Sequence, residues 1–249
     1  MPLRSDLQAA RPADPFLRFR LDERSAGPAI IDGDHIGVVR TGRRSGEVWI
    51  TALGDDPVRV LALIDALSAG RTIDGIHVVD DVYPELPERL RIPDPGWWSI
   101  WTVEPGALVD PSSDMDVVCL DPHDERIDPL LKHSDSAYLF AGSDEVRRWM
   151  GIVDGDRLLA VAGEATVRGD VPHLVSICVD PQRRGEGLGR RVTAHLAAMA
   201  IADGASEVYL EMYAGNTRQR APMRASASSS VAATDPASCP AVANRLHTQ

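Results

Sequence analysis

Residues 174–191 combine an apolar run with a cluster of glycines and arginines that could bind a phosphate. The glycines are Gly185, Gly187 and Gly189, and the arginines are Arg183, Arg184, Arg190 and Arg191. The apolar run ends at Asp180-Pro181, and a helical pattern begins after the glycines. Glycines let the backbone approach an anion closely, and the free N–H groups of a helix N-terminus point at it. The pattern therefore predicts a strand, a phosphate-binding loop and a helix.

Two common phosphate-binding motifs fit this segment less well. A P-loop requires Gly-Lys-Ser/Thr, which is absent. A dinucleotide fingerprint requires G-x-G-x-x-G after a first strand, whereas the glycines here alternate as G-x-G-x-G. A simple glycine turn with solvated arginines is the remaining structural interpretation.

Residues 182–187, Gln-Arg-Arg-Gly-Glu-Gly, match the Q/R-x-x-G-x-G/A signature of the GNAT superfamily of acyl-CoA-dependent N-acyltransferases, and the wider segment 179–189 also resembles that family. The resemblance implies that the loop wraps the pyrophosphate of acetyl-CoA and that the preceding strand binds the pantetheine arm through its backbone. The cofactor-binding residues that it implies are Ile177, Cys178, Val179, Arg183, Arg184, Gly185, Gly187, Leu188, Gly189, Arg190 and Asn216.

Acetylation of an amine requires a neutral amine, an aligned thioester and a proton for the departing thiolate. In the family the general base is often a Glu on the third or fourth strand, so Glu164 and His173 are the two candidates. An unperturbed His has a pKa of about 6.5, which suits proton transfer at neutral pH. A solvated strand Glu and a strand-end His are the structural alternatives. Cys178 is expected to be a small core residue, not a nucleophile.

The resemblance covers residues 116–217 and then stops. The family continues after Asn216 with a helix that carries a tyrosine, the acid that protonates the thiolate, and with two closing strands. Here Pro222 interrupts that helix, and no tyrosine follows Tyr213. A shifted reading frame is one explanation of the break. Under a suitable choice of codons, residues 222–230 read in another frame give Tyr-Ala-Arg-Phe-Gly-Leu-Val-Glu, which resembles the missing family ending. Residues 225–249 are rich in Ala and Ser, so we expect a disordered tail and a sheet that ends at its fifth strand.

The pattern of the second half of the chain gives the element order of the GNAT fold. Strands are expected at 117–120, 150–153, 158–167, 173–179 and 207–213, with helical patterns at 125–132, 143–150 and 187–202. A hairpin turn is expected at Asp154-Gly155-Asp156. Glu211 and Tyr213, on the last of these strands, could line the cleft for the acceptor amine.

The first 104 residues predict a smaller α+β unit. Strands are expected at 29–32, 35–40, 47–53 and 75–79, and a helix begins at Asp56-Pro57 and ends at Gly70. The order loosely resembles half of the same fold, but the turn before the helix is acidic and would repel a pyrophosphate. We therefore expect a supporting domain at 1–104, a linker at 105–115, an N-acetyltransferase domain at 116–220 and a low-complexity tail at 221–249. The fold class is α+β, a GNAT-like mixed sheet flanked by helices.

Composition restricts location and partners. The net charge of −11 argues against general nucleic-acid binding, and no apolar run approaches the ~20 residues of a membrane span. Cys119, Cys178 and Cys239 are scattered, without the spacing of a metal site. The N-terminal residues lack a signal-peptide core. These features predict a cytoplasmic protein without metal, with homodimer formation left open.

The sequence thus predicts an N-acetyltransferase that moves an acetyl group from acetyl-CoA to a primary amine on a small molecule or peptide. One alternative is a non-catalytic acyl-CoA-binding module that has lost its C-terminal catalytic elements. Another is a nucleotide-binding regulatory domain, which would bind ATP or NAD in preference to CoA.

Overall fold

The strands follow apolar stretches of the chain, and the two longer helices follow amphipathic stretches. The structure is a computed structural model that describes residues 4–21, 26–41, 46–91, 95–103, 116–165, 171–213 and 231–233. The chain divides into two compact units near residue 100. Within the described residues, residues 212–213 and 231–233 belong to the first unit, and residues 171–211 belong to the second.

The first unit is a mixed sheet with helices. Its helices are α1 (Arg4–Ala10), α2 (Pro15–Phe19) and α3 (Pro57–Ser68). Its strands are β1 (Ala26–Asp32), β2 (His35–Thr41), β3 (Val48–Leu53), β4 (Gly75–Val79), the first part of β5 (Gly96–Val103) and β11 (Val231–Ala233). The strand order is β1-β2-β3-β4-β11-β5. Only the β3–β4 pair is parallel among these described neighbours.

Helix α3 forms as the sequence predicts. Asp56 precedes it, and its carboxylate accepts hydrogen bonds from the N–H groups of Val58 at 2.9 Å and Arg59 at 3.4 Å. Pro57 occupies the first helical position, where its missing N–H costs nothing. The apolar face of α3 is buried through Val60, Leu63, Ile64 and Leu67. The helix therefore has an N-terminus closed by its own chain.

Helix α2 carries the same Asp-Pro signal, although the sequence analysis assigned no element to residues 1–27. Asp14 accepts hydrogen bonds from the N–H groups of Phe16 and Leu17. Phe16, Leu17 and Phe19 are at most 1% exposed. A five-residue helix is too short to show the helical period, so only its cap could have revealed it.

The second unit holds the glycine-rich loop. Its elements are β6 (Val117–Leu120), α4 (Ile127–Leu131), β7 (Val146–Asp154), β8 (Arg157–Ala165), β9 (His173–Val179), α5 (Leu188–Ala202) and β10 (Val208–Tyr213), of which residues 208–211 belong here. The strand order is β6-β7-β8-β9-β10. The described pairs are antiparallel, except for the parallel pair β9–β10. The α+β fold class and the order of these strands agree with the prediction.

The helical prediction for residues 143–150 is wrong, because β7 begins at Val146. A bulge explains the error. Val146 faces Ala165 and Arg148 faces Glu164, so β7 has one extra residue, Arg147. Because of the bulge, Val146 and Trp149 are both buried although they lie three positions apart in the sequence. This spacing of buried apolar residues is also typical of a helix, so the segment shows a helical pattern.

The expectation of no strand in the tail is also corrected. Val231–Ala233 forms β11, which pairs antiparallel with β4 on one side and β5 on the other. Three small residues show no alternation, and the pairing depends on backbone groups that any residue provides. The predicted linker at 105–115, Asn216 and the remainder of the tail lie outside the described residues.

Candidate functional site

A bulge in β9 lies at the centre of the candidate site. Val175 pairs with Gly163 and Cys178 pairs with Val161. Two residues of β9, Ser176 and Ile177, therefore lie opposite a single residue of β8, Ala162. Ser176, inside the bulge, has a φ of +50°, which is uncommon for a residue other than glycine. Its hydroxyl donates a hydrogen bond of 2.8 Å to the carbonyl oxygen of Leu139. The bulge changes the direction of the strand just before the residues expected to bind pantetheine.

Strand β10 pairs with β9 over only two residues of each strand. Tyr209 pairs with His173, and Leu210 pairs with Leu174. Within the described part of the chain, no ladder pair joins β10 to residues 175–179. The edge of β9 at Ile177, Cys178 and Val179 is thus not paired with β10, which leaves backbone groups to bind an extended ligand.

The turn after β9 is fixed by Asp180. Its carboxylate accepts a hydrogen bond of 2.9 Å from the N–H of Gln182 and forms an ion pair of 2.8 Å with the guanidinium group of Arg157. The hydrogen bond from Gln182, followed in importance by the one from Arg157, holds the pKa of Asp180 below its usual range. The N–H of Asp180 donates to the carbonyl oxygen of Leu159 at 2.8 Å. The loop therefore leaves the sheet at a defined point.

The three glycines have two different roles. Gly185 and Gly187 have φ values of +91° and +79°, and a Cβ at either position would meet no atom within 4 Å. They are needed for backbone conformation. Gly189 is needed for packing, because its Cβ would lie 3.1 Å from Cγ2 of Val179. Gly187 is the N-cap of α5, and among the described residues no side chain accepts a hydrogen bond from this helix end. The N–H groups of the first turn thus remain open to an anion.

The four arginines around the loop differ in their partners. Arg183 forms two hydrogen bonds with Glu186, at 2.7 and 2.8 Å, which raise the pKa of the arginine and lower that of the glutamate. Arg184 donates to the carbonyl oxygen of His133 at 3.0 Å. Arg191 pairs with Asp116 at 3.3 Å. Arg190 is exposed and pairs with no carboxylate among the described residues. Of the predicted phosphate ligands, Arg190 is therefore the most available cation.

Cys178, between these backbone positions, points into the core. It is 4% exposed and packs in a cluster with Leu130, Val161 and Val175. Its Sγ donates to the carbonyl oxygen of Leu130 at 3.2 Å, and burial raises the pKa of the thiol. A protonated, buried thiol is a poor nucleophile, so the chemistry does not require a covalent enzyme intermediate at Cys178.

His173, one candidate base, lies at the start of β9 and is 4% exposed. Its ring stacks on that of Tyr209, with centroids 4.3 Å apart and an angle of 6° between the planes. Its Nδ1 lies 3.4 Å from the hydroxyl oxygen of Tyr138. The imidazole is thus oriented by one ring below it and one hydroxyl at its edge.

Glu164, the other candidate, is fully buried on β8. Its carboxylate lies 2.7 Å from Nε of Arg148 and 3.2 Å from Nη1 of Arg147. Both arginines also pair with Asp203, just after α5. We call these four residues the Glu164 network. The glutamate of this network is buried and pairs with two arginines.

The two candidates lie on opposite faces of the sheet. His173 faces Ala165 and Glu164 faces Leu174 in the β8–β9 ladder, and neighbouring residues of a strand point to opposite faces. Glu164 lies on the face that α5 covers, whereas Ala165 and the His173 face pack with α4. The structure therefore does not bring the two predicted bases together.

Other predicted positions have less support. Glu211 is half-buried on β10, and the side chain of Tyr213 lies outside the described residues. In the described part of the chain, no group of three His, Cys, Asp or Glu residues could hold a metal ion. None of the described helices has the length and apolar character needed to cross a bilayer.

A cavity of about 450 Å³ borders the start of the loop. Its lining residues are Glu125, Arg126, Pro129, Leu130, His133, Arg157, Leu158 and Asp180. The charges on its walls are mixed, so it lacks the positive character that a pyrophosphate requires.

Tyr138 is the residue at this site that the sequence analysis did not select. It lies 35 positions before His173, and no local motif marks it. Only the tertiary contact between the segment after α4 and the start of β9 brings the two side chains together.

Comparison with known proteins agrees with this geometry. The family model described as "Acetyltransferase (GNAT) family" matches residues 116–222. A GCN5-related N-acetyltransferase from Kribbella flavida has a TM-score of 0.56 at 20% identity, over 92% of this chain and 95% of that one. A GCN5-related N-acetyltransferase from Sphaerobacter thermophilus has a TM-score of 0.53 at 13% identity, over 93% of both chains. No curated protein matches significantly. Residues 116–222, which include the glycine-rich loop and α5, are therefore the part of this chain that is similar to the GNAT acetyltransferase family.

Proposed function

We propose that this chain binds acetyl-CoA at the β9–loop–α5 segment and transfers the acetyl group to a primary amine. The observation that carries the proposal is the open N-terminus of α5, which follows two left-handed glycines and a bulged strand edge. A helix N-terminus without a side-chain cap stabilises an anion, and the pyrophosphate of CoA is such an anion.

The proposed site divides the binding of acetyl-CoA between two kinds of group. Backbone N–H groups of the loop and Arg190 would hold the pyrophosphate. The backbone of Ile177, Cys178 and Val179 would hold the pantetheine arm. This would align the thioester along β9 with its reactive end near the bulge at Ser176, so that the acetyl group lies on the side of His173.

The proposed reaction is a direct attack of the amine on the thioester carbonyl. The amine nitrogen forms a bond to the carbonyl carbon, the carbon–sulfur bond breaks, and one proton must leave the nitrogen. We propose His173 as the base that accepts this proton. The neutral imidazole can do so near pH 7, and its ring orientation is already fixed by Tyr209 and Tyr138.

The second candidate function is a non-catalytic acyl-CoA-binding module. It is favoured by the sequence after Asn216, where Pro222 and the absence of any tyrosine depart from the family pattern. Both functions require binding of CoA, but only the acetyltransferase turns over acetyl-CoA. Binding and turnover must therefore be measured on the same protein.

The test is release of the CoA thiol from acetyl-CoA in the presence of a panel of primary amines, beside a calorimetric titration with CoA. Amine-dependent thiol release supports the acetyltransferase. Binding of CoA without thiol release from any amine supports the module. Failure to bind CoA, together with binding of ATP or NAD, would favour the nucleotide-binding regulatory domain.

A further inference from the structure

The cavity of about 450 Å³ at the end of β9 is suited in size to a small molecule. Sites that bind such ligands have volumes of ~300–1,000 Å³. Part of its wall is apolar, from Pro129 and Leu130 of α4 and from Leu158 of β8. Leu130 and Leu158 are each 7% exposed, so this part of the wall is anchored in the core. The cavity can therefore hold the apolar part of a ligand.

The cavity is too far from His173 to hold the acceptor amine. Asp180, which lines the cavity, comes directly after β9, whereas His173 is the first residue of that strand. A strand rises by about 3.3 Å per residue, so the length of β9 separates His173 from the cavity by roughly 20 Å. A ligand in this cavity would thus bind in addition to the reactants.

The charged side chains that line the cavity balance one another. Arg126 and Arg157 are positive, and Glu125 and Asp180 are negative. Arg126 is already held by Asp124, whose carboxylate accepts hydrogen bonds of 2.9 and 2.7 Å from it. Glu125 is exposed and forms no ion pair within the described part of the chain. A ligand with one charge of each sign matches this wall better than an anion or a cation does.

Arg157 is the cation of the cavity that can change its partner. Its guanidinium group pairs with Asp180 at 2.8 Å, but its side chain is 61% exposed. An ion pair with so exposed a member contributes little to stability, so a ligand carboxylate can replace Asp180 at small cost. His133 also lines the cavity, and its imidazole has at least one N–H to donate. These two residues can bind a carboxylate.

We propose that this cavity binds an α-amino acid with an apolar side chain. Glu125 accepts hydrogen bonds from the ammonium group of the ligand, and Arg157 and His133 donate hydrogen bonds to its carboxylate. The side chain of the ligand packs on Leu130 and Leu158. Both charges of the amino acid are thus paired, and its apolar part is removed from water.

The cavity shares contacts with the glycine-rich loop. Asp180 accepts the hydrogen bond from the N–H of Gln182, and Arg184 donates to the carbonyl oxygen of His133 at 3.0 Å. An amino acid that draws Arg157 away from Asp180 changes the contacts at the start of the loop. Its binding should therefore lower the affinity for acetyl-CoA by a limited factor of about 5, a coupling that rests on the proposed function.

An NMR titration of the full chain with L-leucine tests the site. L-leucine should bind and shift the ring resonances of His133. Two analogues identify the groups that are recognised, since 4-methylpentanoate lacks the ammonium group and leucinamide lacks the carboxylate. Each should bind about 10-fold more weakly than L-leucine. Absence of L-leucine binding, or binding that leaves the His133 resonances unchanged, would overturn the proposal.

Glu125→Gln tests the contact with the ammonium group. In this variant L-leucine and 4-methylpentanoate should bind equally, because the ammonium group has lost its partner. Glu145→Gln is the matched control, since Glu145 is an exposed glutamate of the same unit and does not line the cavity. It should keep the wild-type difference between the two ligands. The same difference in Glu125→Gln would refute the assigned contact.

A titration with L-leucine in the presence of saturating acetyl-CoA separates this cavity from the cofactor site. The affinity for L-leucine should fall by the same factor of about 5, because coupling between two sites is reciprocal. Complete displacement of L-leucine would make the cavity part of the cofactor site and would overturn the proposal, and an unchanged affinity would refute the coupling. A chain that binds L-leucine but no acetyl-CoA would refute the proposed function alone.

Discussion

The surroundings of His173 and Glu164 suit them to different tasks. His173 stacks on the ring of Tyr209 and lies beside the hydroxyl of Tyr138. Glu164 contacts two guanidinium groups and has no exposed surface. A fully buried carboxylate that already pairs with two cations is not exposed to a substrate amine, and removal of one member of such a buried pair destabilises the fold. We therefore expect His173 to affect the rate and Glu164 to affect stability.

Glu164→Gln and His173→Gln separate these tasks. Glu164→Gln should lower the free energy of unfolding by about 2 kcal/mol, less than the ~3–5 kcal/mol for a broken buried pair, because Asp203 remains beside the arginines. Its pH–rate profile should match wild type.

His173→Gln should lower kcat about 100-fold and leave the affinity for CoA unchanged. Denaturant unfolding and steady-state rates check both changes. A wild-type rate in His173→Gln would exclude it as the base.

The Glu164 network also predicts a pH dependence of stability. Hydrogen bonding to Arg148, with its positive charge and that of Arg147, holds the pKa of Asp203 below its usual range. A carboxyl with a depressed folded-state pKa stabilises the fold above its unfolded pKa of about 3.9, and this contribution is lost as the pH falls through the folded value.

Asp203→Asn should therefore reduce the loss of unfolding free energy between about pH 5 and about pH 3. Asp135→Asn is the matched control, because Asp135 is exposed and has no ion pair among the described residues. Urea unfolding at several pH values measures the slope. An equal slope in wild type and Asp203→Asn would show that the network contributes nothing to acid sensitivity.

At the scale of elements, sequence patterns predicted most of the longer strands and helices, and they missed the short elements α2 and β11 and both bulges. Strand β9 and helix α5 match their predicted ranges to within one residue, since apolar alternation, glycine and helix periodicity are local. The bulge at Arg147 produced a false helical pattern, and the bulge at Ser176 left no sequence signal. A bulge depends on the register with a neighbouring strand, so one segment alone does not encode it.

The same limit applies to the candidate site. The loop residues are adjacent in sequence, and their motif was readable. Tyr138 and the arginine partners of Glu164 come from distant segments, and their roles depend on which face of the sheet each side chain occupies. The sequence therefore predicted the cofactor loop, but it left two residues, Glu164 and His173, as candidates for the general base.

The close approach of α5 to the end of β9 gives a prediction at this scale. Gly189→Val would add atoms where even a Cβ lies 3.1 Å from Val179, and should lower the free energy of unfolding by about 1–3 kcal/mol. Because the clash involves one side chain, Val179→Ala should relieve part of it. The cost of Gly189→Val should be about half as large in the Val179→Ala background. Thermal unfolding of the four proteins checks the coupling, and purely additive changes would refute the packing role of Gly189.

At the level of the whole molecule, two helices among the described residues follow a strand and a glycine-containing turn, one in each unit. The N-terminus of α3 is closed by the carboxylate of Asp56, with Asp55 adjacent. The N-terminus of α5 is open behind Gly187. A carboxylate that occupies a helix N-terminus both uses its N–H groups and repels a phosphate. The chain should therefore have one acetyl-CoA site, in the second unit.

Calorimetric titration of the full chain with acetyl-CoA measures whether the loop before α5 binds the pyrophosphate of the cofactor. We predict one acetyl-CoA bound per chain and loss of binding in Gly187→Asp, where a negative charge would stand at the expected pyrophosphate position. Gly70→Asp is the matched control. Gly70 also has a positive φ, +71°, and open space around its Cβ position, but it lies in the first unit. Gly70→Asp should bind as wild type. Wild-type affinity in a folded Gly187→Asp protein, or no binding by the wild-type chain, would show that this loop is not an acetyl-CoA site.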